Sequence, residues 1–363
     1  MADWHKPFNA SYVWRRVDRA SYTRGPYGVG HEVGDVGNVT GGTITVNADT
    51  DTYETARIDC VGPLDVGTDL LRAHLLATFA DGTTEDVVLG TYDVNIPERD
   101  VSGSYEKCGA RLDGRLMELA ECSLDPTPVR RGANAMSMAI VISEQVGVTV
   151  TNPRPLSTYT LGSNITLGLD DSGNAGASRL EAINELLGMA SLRAAYTNEY
   201  GSLTTREPID YDAQPVWTFT EGEGATFLAE ATDERDSSSI ANVVKVYYET
   251  SEATVIGTAR DQSGTEWSID ALGYQRTKQY KFNDSATQAQ ANAKAAELLA
   301  QQQSVVRRVT ITHVWCGARV GDVVRLEYPS AGISGNFAIR TQEIEVGSPG
   351  CLCTSELRRF ERS

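Results

Sequence analysis

Acid–base chemistry has few groups to draw on in this chain. Its 363 residues include four histidines, His5, His31, His74 and His313, and histidine is the side chain that titrates nearest neutrality. His74 stands among apolar residues, and His313 lies close to Trp315 in a strand-like stretch. Both are expected to be strand side chains rather than catalysts. No Gly-x-Ser-x-Gly elbow, His-Glu-x-x-His motif or phosphate-loop signature occurs. No apolar run approaches the roughly 20 residues that a membrane helix needs. The opening Met-Ala-Asp-Trp-His-Lys-Pro lacks the apolar core of a secretory signal. Basic surface is scarce as well. The 32 Lys and Arg face 49 Asp and Glu, a formal net charge of −17, which argues against nucleic-acid binding through basic patches. The cysteines at 60, 108, 122, 316, 351 and 353 are sparse and irregular, unlike a secreted disulfide framework. Reduced thiols are expected.

Three stretches resemble ligand sites until their context is read. The run "GPYGVGHEVGDVGNVTGG" (25–42) is rich in glycine, but no strand precedes it, no helix follows, and the spacing is not Gly-x-Gly-x-x-Gly. It is expected to be a flexible surface loop, able to order against a neighbouring subunit. In "DDSGNAGASRLE", Asp170, Ser172, Asn174 and Glu181 match calcium-loop positions. Ala175 stands where that loop needs glycine, no helix enters it, and Glu181 has a role in helix capping. A plain loop is expected. His313, Cys316, Cys351 and Cys353 have zinc-type side chains, but alternation along a strand puts His313 and Cys316 on opposite faces. Buried thiols are expected instead. No catalytic, cofactor-binding or metal residue is therefore assigned, and no cofactor is expected.

What the sequence does contain is β-structure around a helical middle. "GGTITVNAD" and "TARIDCVGP" alternate apolar and polar residues. Leu71, Ala73, Leu75, Ala77 and Phe79 line one face of the next run, Val87 and Leu89 answer from a return strand, and Asp81-Gly82 between them signals a hairpin. The middle then turns helical. Ala135, Met138, Ala139, Ile142 and Val146 make one stripe, and Leu180, Ile183, Leu186 or Leu187, and Ala190 make another. Ser178 and Glu181 form a capping box at the second. "SLRAAYTNEYGSLTTREP" reads as a hairpin turning at Asn198–Gly201. After Pro215 strands return, interrupted by a small-residue helix over 285–303. Ser285 and Gln288 read as its capping box, and Ala289, Ala293, Ala296 and Leu299 or Ala300 as its inner face. The fold class expected is mainly β with an α/β insert. Two tube-like β-barrel domains, 1–114 and 216–363, flank a small α/β module at 115–215, and the C-terminal domain carries the long Ala-rich helix.

The order of the last third resembles the C-terminal half of phage tail hub proteins, the family of the T4-type baseplate hub. The stretches that carry the likeness are "NVVKVYYE", "GTARD", "SIDALGYQ", the Ala-rich helix, an Arg-Val-Gly-Asp-Val step at Arg319–Val323 and a Gly-x-Phe-x-Ile strand at Gly335–Ile339. "GNVTGGTITVNADTDTYETARIDC", "DVVLGTYDV" and "SRLEAINELLGMASLRAAYTNEYGSLTTREP" resemble the opening barrel and inserted module of that family. The resemblance implies a structural, non-enzymatic component of the virion tail tip, assembled in the bacterial host cytoplasm. It implies a homotrimeric ring whose two barrels per chain imitate six-fold symmetry. Such a ring adapts a tail tube or distal tail protein to a spike or tail fibre, has a tape measure protein as a possible neighbour, and passes DNA without specific binding or membrane insertion. The long helix would pack on the ribbon of the ring. Some relatives carry a C-terminal peptidase or lysozyme domain, and this chain is expected to lack one. A host-carbohydrate-binding baseplate protein is the alternative, with a tail-associated cell-wall hydrolase as a more distant one.

Overall fold

The computed structural model describes all residues except 1–2, 24–28, 103–104, 152–158, 171–172, 237–239, 250–252, 265, 283, 303, 348–350 and 363. The first strands are β1 (Phe8–Asp18), β2 (His31–Val36), β3 (Val39–Asn47), β4 (Glu54–Val61), β5 (Leu70–Phe79), β6 (Thr84–Ser102) and β7 (Tyr105–Gly114). They pair in the order β3-β4-β7-β6-β5-β1-β2. β2 and β3 stand at opposite ends of this run, yet only Gly37 and Asn38 connect them. Three residue steps span at most about 11 Å, so the run must curl until its ends approach. Residues 31–36 and 39–42 are strand, joined by a two-residue turn but paired with different neighbours, and not the surface loop expected of their glycines. Residues 25–28 of that glycine run lie outside the described residues. The Asp81-Gly82 hairpin forms as read: Gly82 takes φ +81 and β5 pairs antiparallel with β6, Leu75 opposite Val87.

The middle contains α1 (Leu116–Glu121), β8 (Thr127–Val129), α2 (Ala135–Glu144), β9 (Ile165–Leu167), α3 (Arg179–Met189), β10 (Tyr196–Thr197) and β11 (Leu203–Thr204). The capping box closes α3 as the sequence indicates, with Glu181 N donating to Ser178 Oγ and Ser178 N to Glu181 Oε2. Leu180, Ile183, Leu186 and Leu187 are buried. The β10–β11 hairpin turns where expected, Asn198 Oδ1 accepting from the N–H groups of Tyr200 and Ser202.

The remaining elements are β12 (Trp217–Thr220), β13 (Phe227–Asp236), β14 (Val243–Glu249), β15 (Thr254–Arg260), α4 (Ile269–Leu272), β16 (Thr277–Phe282), α5 (Gln288–Gln302), β17 (Ser304–Val314), β18 (Val323–Tyr328), β19 (Ile333–Val346) and β20 (Leu352–Arg362). Here β13-β17-β20-β19-β18-β12 form a second run, its end strands again close in the chain. One strand joins the runs. β19 pairs with β20 on one side, while its other side serves β18 through Ile333–Ala338 and β3 through Thr341–Val346. The result is a single 13-stranded sheet, mainly β in composition. The stretches 1–114 and 216–363 are thus fused along a shared strand. Two cores follow. One joins N-terminal residues such as Trp14, Ile58 and Leu75 to Trp315, Ile344 and Cys353. The other joins the helices of the middle to Phe219, Ile311 and Phe337.

The long helix departs from its expected place. α5 packs on a separate three-stranded sheet, β15-β14-β16, rather than on the terminal ribbon. Its buried face is Ala291, Ala295, Leu298 and Leu299, whereas Ala289, Ala293, Ala296 and Ala300 are exposed. In an alanine-rich helix several stripes fit the period, and the paired leucines decide which one turns inward, against Val244 and Val246. Its capping box is Thr287 with Gln290, not Ser285 with Gln288: Thr287 N donates to Gln290 Oε1 and Gln290 N to Thr287 Oγ1. Ser285 N is instead held by the buried Asp284 carboxylate, and Gln288 Nε2 reaches the Ile256 carbonyl. Close approach of helix and sheet rests on Gly257, where a Cβ would collide with the Ala291 carbonyl group. Backbone cannot swing aside as a side chain would. Gly257→Ala is expected to lower the stability of this unit by about 1–3 kcal/mol, read from urea unfolding. An unshifted midpoint would mean that α5 moves away freely.

Candidate functional site

Within the 13-stranded sheet, three strands have only one hydrogen-bonded neighbour among the described residues: β2, β12 and β13. An open edge presents unpaired N–H and C=O groups and is a template for pairing with another chain. Each of these edges also carries an exposed aliphatic side chain. Val33 of β2 is 50% exposed, Leu228 of β13 51%, and Val216, just before β12, 58%. Assembly surfaces are best sought there.

Inward from β2 lies a dense charged cluster. Arg15 of β1 stands directly opposite Arg72 of β5, a like-charge pair that would be unfavourable alone. Glu32 of β2 relieves it: Oε2 accepts from Arg15 Nη1 and Oε1 from Arg72 Nη1, both at 3.0 Å. Arg72 is buried and also donates to Thr91 Oγ1, Tyr22 OH and the Val29 carbonyl. His74 is buried beside it, Nδ1 2.6 Å from Asp86 Oδ1 and Nε2 3.0 Å from Glu32 Oε1. A doubly protonated ring satisfies both carboxylates, a neutral ring only one. The cluster ties the open edge strand to the curled sheet.

A cavity of about 810 Å³ lies where the two runs and the middle meet, lined by residues that include Tyr53, Glu54, Arg193, Arg206, Trp315 and Arg319. Glu54 is 3% exposed, accepts from Thr197 Oγ1 at 2.8 Å, and is pushed up to about 8 by burial. Arg206 lies 3.6 Å from the centre of the Tyr196 ring and donates to the Val320 carbonyl.

The residues weighed from sequence are largely taken up by structural bonds. His5 stacks on Trp217, ring centroids 4.1 Å apart. His31 opens β2, and its backbone N–H donates to Ser21 Oγ. His313 Nδ1 donates to the Val314 carbonyl, and Nε2 accepts from Ser355 Oγ at 2.9 Å. Burial holds its ring down at about 4. All six cysteines are free thiols. Cys316, Cys351 and Cys353 are buried, and Cys353 Sγ donates to the Cys351 carbonyl. Asp170 Oδ1 accepts from Asn174 N in a tight turn, and Glu181 is used by its cap. Ser172 lies outside the described residues. Among those described, no three His, Cys, Asp or Glu side chains are grouped to hold a metal ion, and no helix is long and apolar enough to cross a membrane. Sequence reasoning missed the partners of His74, which come from β2 and β6, and it missed the cavity. The only signal for the former was an excess of polar side chains, Arg72 and His74, in an otherwise apolar strand, and the cavity left none.

No protein-family model matches the chain, and no curated protein matches it in sequence. Solved structures do. A tail protein from Neisseria meningitidis MC58 superposes with a TM-score of 0.68 at 15% identity, over 96% of this chain and 97% of that one. The 43 kDa tail protein of prophage MuSo2 from Shewanella oneidensis gives 0.63 at 9% identity, over 95% and 97%. Prophage tail protein gp18 from Listeria monocytogenes EGD-e gives 0.56 at 12% identity, over 97% and 95%. At such identities the likeness is one of fold, and it extends across nearly the whole of each chain.

Proposed function

We propose that this chain is the structural hub of a phage tail tip or baseplate. It forms a homotrimeric ring that adapts a six-fold tail tube or distal tail protein to a three-fold spike or fibre, and DNA passes through it. The observation that carries this reading is the fold shared end to end with three tail proteins, two of them from prophages. Two curled strand runs fused on β19 in one chain support it, since three such chains supply six tube-like units. The open edges of β2, β12 and β13, each with an exposed aliphatic residue, are where neighbouring copies or the adjoining tail proteins would pair. No catalytic step is assigned, and the net charge of −17 suits a conduit to which DNA does not adhere. Tail tips imaged with and without a labelled copy of this chain test the assembly. Three copies per ring are expected, and a ring of six copies would rule out the pseudo-six-fold arrangement. A free chain that is monomeric in dilute solution fits both.

A further inference from the structure

The cavity between the two strand runs and the middle is unbalanced in its hydrogen bonding. Arg193 lines it, and its guanidinium has no carboxylate or other side-chain partner among the described residues. Burial, with the repulsion of the cations Arg340 and Arg206, lowers it to about 10. Neither neighbour is short of partners. Arg340 pairs with Asp49, and Arg206 is engaged by the Val320 carbonyl and the Tyr196 ring. Trp315 stands in the wall, 1% exposed, and its Nε1 lacks an acceptor but is closed off from the cavity space. A buried donor left unpaired costs about 1–3 kcal/mol.

The acids of the cavity do not make up the deficit. Glu54 is raised far enough by burial to hold a proton at neutral pH, and Asp322, also raised by burial, accepts from Arg319 N. Glu207 and Asp210 are exposed at the rim, and Glu199, half-buried in the lining, makes no hydrogen bond or ion pair with Arg193. The inside of the cavity thus offers donors and positive charge behind an acidic rim. Val46, Leu89 and Ile344 supply an apolar wall. The volume falls within the range of about 300–1,000 Å³ typical of ligand sites with a few placed polar groups.

We infer that the cavity binds a peptide segment of a neighbouring protein through a carboxylate seated on Arg193, with an aliphatic side chain against Val46, Leu89 and Ile344. The carboxylate gives Arg193 the bidentate partner it lacks, and the apolar wall selects it over a bare inorganic anion. The inference stands on the cavity and not on the tail assignment.

The test is calorimetric titration of the full chain with N-acetyl-leucine, N-acetyl-leucinamide and inorganic phosphate, repeated on Arg193→Gln and Arg193→Lys. The acid is expected to bind at least about tenfold more tightly than the amide, the margin of one charge-assisted hydrogen bond. Arg193→Gln should erase that difference, and Arg193→Lys should retain part of it. The guanidinium is unpaired and partly exposed, so both variants should fold, which circular dichroism checks independently. Equal affinities for acid and amide, no binding of the acid at millimolar concentration, or an acid preference that survives in Arg193→Gln overturns the inference. Phosphate binding as tightly as the acid would leave an oxyanion site and overturn the peptide assignment.

Discussion

Glu54→Gln should stabilise the protein by about 3–5 kcal/mol at pH 8 and by much less at pH 5. The folded chain holds the Glu54 carboxyl up to about 8, against an ordinary value of 4.5, because it is buried. Between these values the unfolded chain releases a proton that the folded chain keeps. Stability therefore falls as pH rises from about 4.5 to about 8 and then levels off. Glutamine is neutral throughout, keeps the oxygen that accepts from Thr197 Oγ1, and places an N–H where the protonated acid has its O–H. His313 acts in the opposite sense. Its ring is held down at about 4 against 6.5, so the unfolded chain binds the extra proton between those values and stability is lost as pH falls through them. The two groups oppose one another on the acid side of neutrality, while above about pH 6.5 Glu54 acts alone. Urea unfolding of both proteins across this range reads the effect. A difference that does not grow with pH would mean that Glu54 ionises in the folded chain as it does in water.

Arg72→Met should lower stability by about 3–5 kcal/mol, the loss typical when one partner of a buried ion pair is removed. Thr91 Oγ1, Tyr22 OH, the Val29 carbonyl and Glu32 Oε1 each lose a donor in one step. Glu32 keeps Arg15 and His74, so the damage should centre on β2. Amide exchange over residues 31–36 should accelerate more than exchange in β4 or β7. A loss below about 1 kcal/mol would place the cluster in the class of solvated surface pairs.

Local pattern made much of the fold legible. Alternation from Leu71 to Phe79 marked a strand, Asp81-Gly82 its hairpin, and Ser178 with Glu181 the start of a helix, because each signal lies within a few residues and concerns the backbone's own hydrogen bonds. What escaped was set by partners distant in sequence. Which face of α5 turns inward depends on Gly257 and Val244 beneath it. The glycine run at 25–42 contains an edge strand because Glu32 finds two arginines on other strands. The cavity was illegible for the same reason: Glu54, Arg193 and Trp315 belong to three different parts of the chain and show no common spacing.

The strand shared by both runs also sets a timetable for synthesis. β3 leaves the ribosome early, but its partner in β19 follows only about 300 residues later, roughly 15–60 s at ordinary elongation rates of about 5–20 residues per second. Until then the N-terminal run has β3 as an open margin, with Gly42, Thr43, Ile44, Thr45, Val46 and Asn47 waiting for Val346, Glu345, Ile344, Glu343, Gln342 and Thr341. A nascent chain in that interval can pair this margin with another nascent chain from the same message. Arrival of β19 ends the exposure and fuses the two halves, so slowing translation after residue 114 should raise the yield of entangled chains at the expense of native ones.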